Sequence, residues 1–291
     1  MSGPANASSN NSNAAADQPA LRICALLPEV ESARACLEWA VAAARGTPAE
    51  IRAVHVGFDS HARASAEEVD IQQLRDLREG TPAARLARIR KIFEAFTASR
   101  TGGAPILWKN DEGDIGRGVV DEAKSADLIV IGRPMDLDGS DALHSALFDI
   151  RRLVLVTPRK LRDETSFDGS LGRHILVGWK PGEPIRHAVL AARPWLLRAD
   201  RVSVIWVEKT GASYEQAARD FFAQVGIAAE MTSLKPDGRS VGRQLLAEAV
   251  RRGADSLLIG AFRHGVVWNA MLGGVTRDIL AHAEIPVFLM R

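Results

Sequence analysis

A short apolar run ending in glycine occurs twice in this chain. The copies are Ala126-Asp127-Leu128-Ile129-Val130-Ile131-Gly132 and Ala254-Asp255-Ser256-Leu257-Leu258-Ile259-Gly260. Each is followed by a stretch of helical character and then by a second apolar run, at 153–156 and at 287–290. Runs of this length and apolarity suit strands buried on both faces, as in parallel sheets. A strand, a helix and a second strand in that order imply a right-handed crossover. A strand that ends at glycine and opens onto a helix start also presents free N–H groups and a positive dipole end, which suit an anion such as phosphate.

The same alternation extends through the chain. Strands are expected at 21–27, 51–56, 104–108, 128–131 and 153–156, then again at 174–179, 202–207, 228–234, 257–259 and 287–290. Helices are expected at 31–44, over 66–99 with a break near Gly80-Thr81-Pro82, at 116–125 and 141–148, then at 185–197, 214–225 and 241–252. The 241–252 helix should turn Leu245, Leu246, Ala249 and Val250 inward. The expected fold class is therefore α/β, two tandem doubly wound, mainly parallel five-stranded sheets of Rossmann-like type. The halves are read as 20–158 and 173–291, joined by a polar, turn-rich linker at 159–172. Residues 1–19 are mostly Ser, Asn, Ala and Gly; they bury too little to offset their ordering entropy and read as a disordered tail. In such sheets ligands sit beyond the carboxyl ends of the strands where strand order reverses, here the loops after strands one and four of each half.

Composition excludes several functions. A formal net charge of +1 gives no electrostatic case for nucleic acid or an anionic membrane surface. No apolar run approaches the ~20 residues of a membrane span, and residues 1–19 lack the pattern of a secretory signal. The two cysteines, Cys24 and Cys36, read as small core residues in a reducing compartment. His144, His174, His187 and His282 stand on separate elements, so no zinc site is expected. Asp111-Glu112-Gly113-Asp114 and Asp136-Leu137-Asp138-Gly139 read as acidic turns without calcium-loop spacing. Trp39, Trp195 and Trp206 fall at core phases, and no aromatic track for bases is visible. No nucleophile, base and orienting group come together in the pattern, so no catalytic residues are assigned.

The second half resembles a universal stress protein domain, and the whole chain resembles a tandem member of that family. The resemblance is carried by Gly172-Arg173-His174-Ile175-Leu176-Val177-Gly178-Trp179, by Gly253 to Phe262, by Met271-Leu272-Gly273-Gly274-Val275-Thr276-Arg277 and by Ala281 to Val287. It covers 20–291 as architecture and 172–291 in motif. The family implies a cytoplasmic stress-response or regulatory protein with unidentified protein partners. It also implies ATP or another adenine nucleotide, with magnesium, and an antiparallel pairing of the last strands of the two halves. One chain would then mimic a dimer, and such chains could associate further. Nucleotide-binding members carry a glycine, two residues, a glycine, nine residues, a glycine, then Ser or Thr. Gly260 and Gly273 match the first and third glycines. Arg263 takes the second position, and Gly274 takes the hydroxyl position with Thr276 two further on. The family's acidic residue after the first strand is replaced by Lys180. The implied nucleotide-binding residues are Val177, Gly178, Trp179, Lys180, Gly260, Arg263, Gly273, Gly274, Val275 and Thr276. Arg263 could occlude the cleft or grip a phosphate through its guanidinium. In the first half, Leu27-Pro28-Glu29 has no Asp and Gly132-Arg133-Pro134-Met135 no glycine triplet, so the nucleotide is assigned to the second half. Two alternatives stand beside this reading: an interaction module that binds no nucleotide, and a nucleotide-dependent hydrolase.

Overall fold

The computed structural model describes residues 20–58, 76–77, 80–158, 169–208, 214–261 and 274–291. The expected tail, most of the linker, the 66–75 part of the charged helix and the Arg263 to Gly273 loop lie outside the described residues.

The first half contains β1 (Leu21–Leu26), α1 (Val30–Ala44), β2 (Ala49–Phe58), α2 (Pro82–Ala98), β3 (Ile106–Gly113), α3 (Ile115–Ala123), β4 (Leu128–Gly132), α4 (Leu137–Phe148) and β5 (Val154–Thr157). The second contains β6 (His174–Gly178), α5 (Glu183–Ala191), α6 (Arg193–Leu196), β7 (Arg201–Val207), α7 (Glu215–Gln224), β8 (Glu230–Leu234), α8 (Val241–Arg252), β9 (Ser256–Gly260), α9 (Gly274–His282) and β10 (Val287–Met290). Local chemistry sets several boundaries. Thr81, Asp114, Asp136 and Ser240 each cap a helix by accepting a backbone N–H, which satisfies donors that the first turn leaves free. Gly253 ends α8 at φ 67°, a left-handed conformation that glycine adopts without strain.

The described strands form one sheet in the order β3-β2-β1-β4-β5-β10-β9-β6-β7-β8. Pairing within each half is parallel. The halves join through antiparallel β5 and β10, with Val287 opposite Val156, Phe288 opposite Leu155 and Leu289 opposite Val154. The antiparallel pairing that the resemblance implies is present, and it joins the two five-stranded sheets into one continuous sheet of ten strands. The reason is that β5 is buried throughout and β10 nearly so. Unpaired, either would be an apolar edge open to non-specific pairing.

Helices cover both faces. On one face α1, α2, α5, α6 and α7 pack around Leu37, Phe96, Trp195 and Phe222. On the other α3, α4, α8 and α9 pack around Val119, Leu147, Leu245 and Ile279. Each face has its own tie between halves. Trp195 Nε1 donates to Ala43 O at 3.0 Å, and the Arg133 guanidinium donates to Leu280 O and Ala281 O, both at 3.0 Å. The repeated Ala-Asp of the sequence also has a structural task. Asp127 accepts the Arg22 N–H at 2.9 Å, and Asp255 accepts those of Gly172, Arg173 and His174 at 2.8, 2.8 and 3.1 Å. Each aspartate pins the start of its half's first strand.

Four local expectations are corrected. The 185–197 helix is divided into α5 and α6, because Pro194 lacks an N–H and its ring crowds the preceding turn. Val250 is 71% exposed rather than inward. Asp111 to Gly113 end β3 instead of forming a turn; β3 is an edge strand, where the half-buried Asp111 still reaches water. Asp136 caps α4, and 137–139 form its first turn.

Candidate functional site

The strand order reverses between β1 and β4 and again between β6 and β9. At the second of these switch points lies a cavity of about 120 Å³. It brings together Gly178, Trp179 and Lys180 from the end of β6, Gly260 from the end of β9, and Gly274, Val275 and Thr276 from the start of α9. Seven of the ten residues implied by the sequence therefore share one cavity. Val177 is fully buried in the sheet core and is not among the lining residues. Arg263 and Gly273 lie outside the described residues.

Six further lining residues were missed in the sequence: Ile205, Trp206 and Val207 at the end of β7, Val241 and Leu245 at the start of α8, and Ile259 in β9. Their signal was the expected position of a second strand end and a helix start at the same sheet end. They make the cavity mainly apolar. Trp179 is buried and packs on Phe221 and Phe222, with ring centroids 5.6 and 5.7 Å away. Thr276 is buried in the wall, whereas Lys180 is exposed. Alongside, and sharing Gly274 and Val275, is an open depression of about 870 Å³ between the starts of α8 and α9. Arg239, Arg243 and Arg277 line it together with Asp278. Asp278 accepts from Ser240 and pairs with Arg243 at 3.5 Å.

Gly260 has a packing role in addition to its place at the cavity. A Cβ there would stand 2.6 Å from Ile185 N and 2.9 Å from Pro184 C, both backbone atoms of α5. Gly132 occupies the same position in the first half, where a Cβ would overlap the Ser32 side chain of α1. In both copies the glycine lets the first helix of that half pass close over the strand end.

The first-half switch point is filled from within. Glu29, just after β1, is 3% exposed. Its Oε1 accepts the N–H groups of Met135 and Asp136 at 2.8 and 3.1 Å. A Cβ at Gly139 would overlap that oxygen. A carboxyl group of the chain itself thus sits over the start of α4, where a ligand would otherwise meet that helix.

The remaining candidates are structural. Burial pushes the Cys24 thiol up to about 12 and the Cys36 thiol up as well, and Cys36 Sγ donates to Leu26 O and Val130 O. Neither is a thiolate nucleophile. His174 is hydrogen-bonded to Ser203 at 2.9 Å. Among the described residues no group of three or more His, Cys, Asp or Glu could hold a metal, and no helix is long and apolar enough to cross a membrane.

The chain is thus a tandem α/β protein with a switch point in each half and an antiparallel seam between the halves. Solved structures supply its parallel. A universal stress protein from Archaeoglobus fulgidus DSM 4304 matches with a TM-score of 0.55 and 14% identity over 93% of this chain and 96% of its own. A functionally unknown protein from Pseudomonas aeruginosa PAO1 matches with a TM-score of 0.52 and 17% identity over 92% of each chain. No protein-family model matches the chain, and no curated protein does. At these identities the likeness is one of fold: this chain has the fold of a tandem universal stress protein.

Proposed function

We propose that the chain is a cytoplasmic stress-response protein of the universal stress type that binds ATP or a related adenine nucleotide in its second half. The observation that carries this reading is the contrast between the two switch points. One is filled by Glu29; the other holds an apolar cavity with a basic, helix-started rim. At about 120 Å³ the cavity is smaller than a full ligand pocket of ~300 Å³ or more. It suits a flat base, with ribose and phosphates running over Gly274 into the open depression. The start of α9 supplies the positive end of a helix dipole there, and Lys180 brings a positive charge to the adjoining cavity. Magnesium would arrive with the phosphates, which such ions bind in preference to all-protein cages.

Calorimetric titration of Mg-ATP into the full chain tests the reading, with mass spectrometry of nucleotide carried through purification. One site per chain is expected, weakened at least tenfold by Val275→Trp, which narrows the mouth, and by Lys180→Glu. Absence of both titrated and carried nucleotide sinks it and leaves the interaction module.

A further inference from the structure

The carboxyl group that fills the first-half cleft is incompletely satisfied. Glu29 Oε1 accepts two backbone N–H groups, but Oε2 is buried without a hydrogen-bond partner. The neighbouring acidic group that acts on Glu29 is the carboxyl of Asp136, whose own N–H donates to Glu29 Oε1 and which caps α4 by accepting the Gly139 N–H at 2.9 Å. Two carboxylates side by side in a buried site cannot both ionise cheaply, and neither can donate to the other. A single proton resolves both problems, since a protonated Oε2 becomes the donor that the pair lacks.

We propose that Glu29 and Asp136 share one proton, and that this proton latches the loop 133–136 over the first-half cleft, making that half a self-occupied, pH-sensitive site. The loop matters beyond its own half, because Arg133 reaches from it to Leu280 O and Ala281 O at the end of α9. Losing the proton places two negative charges against one helix start and loosens the loop that carries the tie.

The surrounding charges agree. Asp138 and Asp141 lie further along α4, Asp114 caps α3, and burial together with Asp138 raises the Asp141 carboxyl. His144, beyond them on α4, acts on Asp141 and stands 5.0 Å from the Phe148 ring. Glu31, the next acid along α1, faces Arg88 at 4.0 Å. Burial first, and Asp136 second, push Glu29 from its ordinary 4.5 up to about 8. The folded state therefore holds the proton more tightly than the unfolded chain. The stability this confers is complete below about pH 4.5 and is lost as pH rises through about 8.

The test contains no nucleotide, so it stands or falls apart from the ATP reading. Carboxyl NMR of the wild-type chain should show Glu29 titrating near pH 8, and Asp136→Asn should move that midpoint down. Glu29→Gln keeps the acceptor for both N–H groups and supplies a permanent donor to Asp136. Its urea midpoint should therefore stay level between pH 6 and 9 while that of the wild type falls. At pH 9 the Met135 and Asp136 amides should exchange at least tenfold faster in wild type than in Glu29→Gln, and equally fast at pH 5. A Glu29 titration in the ordinary carboxylate range, or the same pH slope in wild type and Glu29→Gln, overturns the proposal.

Discussion

Gly260→Ala separates two reasons for a glycine at the end of β9. If the residue were needed only for a ligand, alanine would spare the fold and reduce binding. The structure gives the opposite expectation. The new Cβ would lie 2.6 Å from Ile185 N and 2.9 Å from Pro184 C, well inside ordinary contact, and neither backbone atom can rotate away. The start of α5 must shift by several tenths of an ångström, against Ile185, Ala188 and Val189, which are fully buried. Overpacking of this kind costs ~1–3 kcal/mol; with backbone on the far side the upper end applies, about 3 kcal/mol. For a chain of this size that is a fall of roughly 6–12 °C in Tm. The first half supplies the control. Gly132→Ala meets the side chain of Ser32, so Ser32→Gly should relieve it, apart from about 0.5 kcal/mol of lost helix propensity. Urea unfolding of the two single variants and the double variant should give a favourable coupling of about 2 kcal/mol, within the range for residues in contact. Wild-type stability in Gly260→Ala with weakened nucleotide binding would refute the packing argument, as would additive effects in the Ser32 and Gly132 cycle.

Two further predictions concern ion pairs and the seam. Arg133→Ala removes two charged hydrogen bonds to the end of α9, so it should cost about 2 kcal/mol in chemical unfolding. It should also raise amide exchange in α9 more than in α2, on the opposite face. Glu248 is buried between Arg251 and Arg252. Hydrogen bonds from Arg251, then from Arg252, hold its carboxyl down to about 2. Its contribution is present above the ordinary carboxylate value near 4.5 and is lost as pH falls through 2. Glu248→Gln should thus lose about 2 kcal/mol at pH 7 and only a small part of that at pH 2, measured by thermal unfolding across that range.

Much of the lining of the second-half cavity was legible because its signals are local. Gly178 to Lys180, Gly260 and Gly274 to Thr276 are strand ends and a helix start, and sheet topology places such ends together. Ile205, Trp206 and Leu245 escaped because apolar residues there read equally well as core. Glu29 escaped for a different reason. A single acidic residue after a strand carries no signal of its own. Its role depends on N–H groups contributed 106 and 107 positions later in the chain.

By itself the sequence determined the alternation of strands and helices, the doubling of the unit and the position of the final strands, since all of these follow from short-range periodicity and turn chemistry. The family resemblance, supported by two apolar edges that needed covering, also implied the seam. Only the tertiary structure decided the register of the seam between β5 and β10, that Gly132 and Gly260 are held by helix packing, and that the first cleft is filled by its own carboxyl group. Each of those outcomes depends on distances between atoms far apart in the chain, and no periodicity within one segment encodes them.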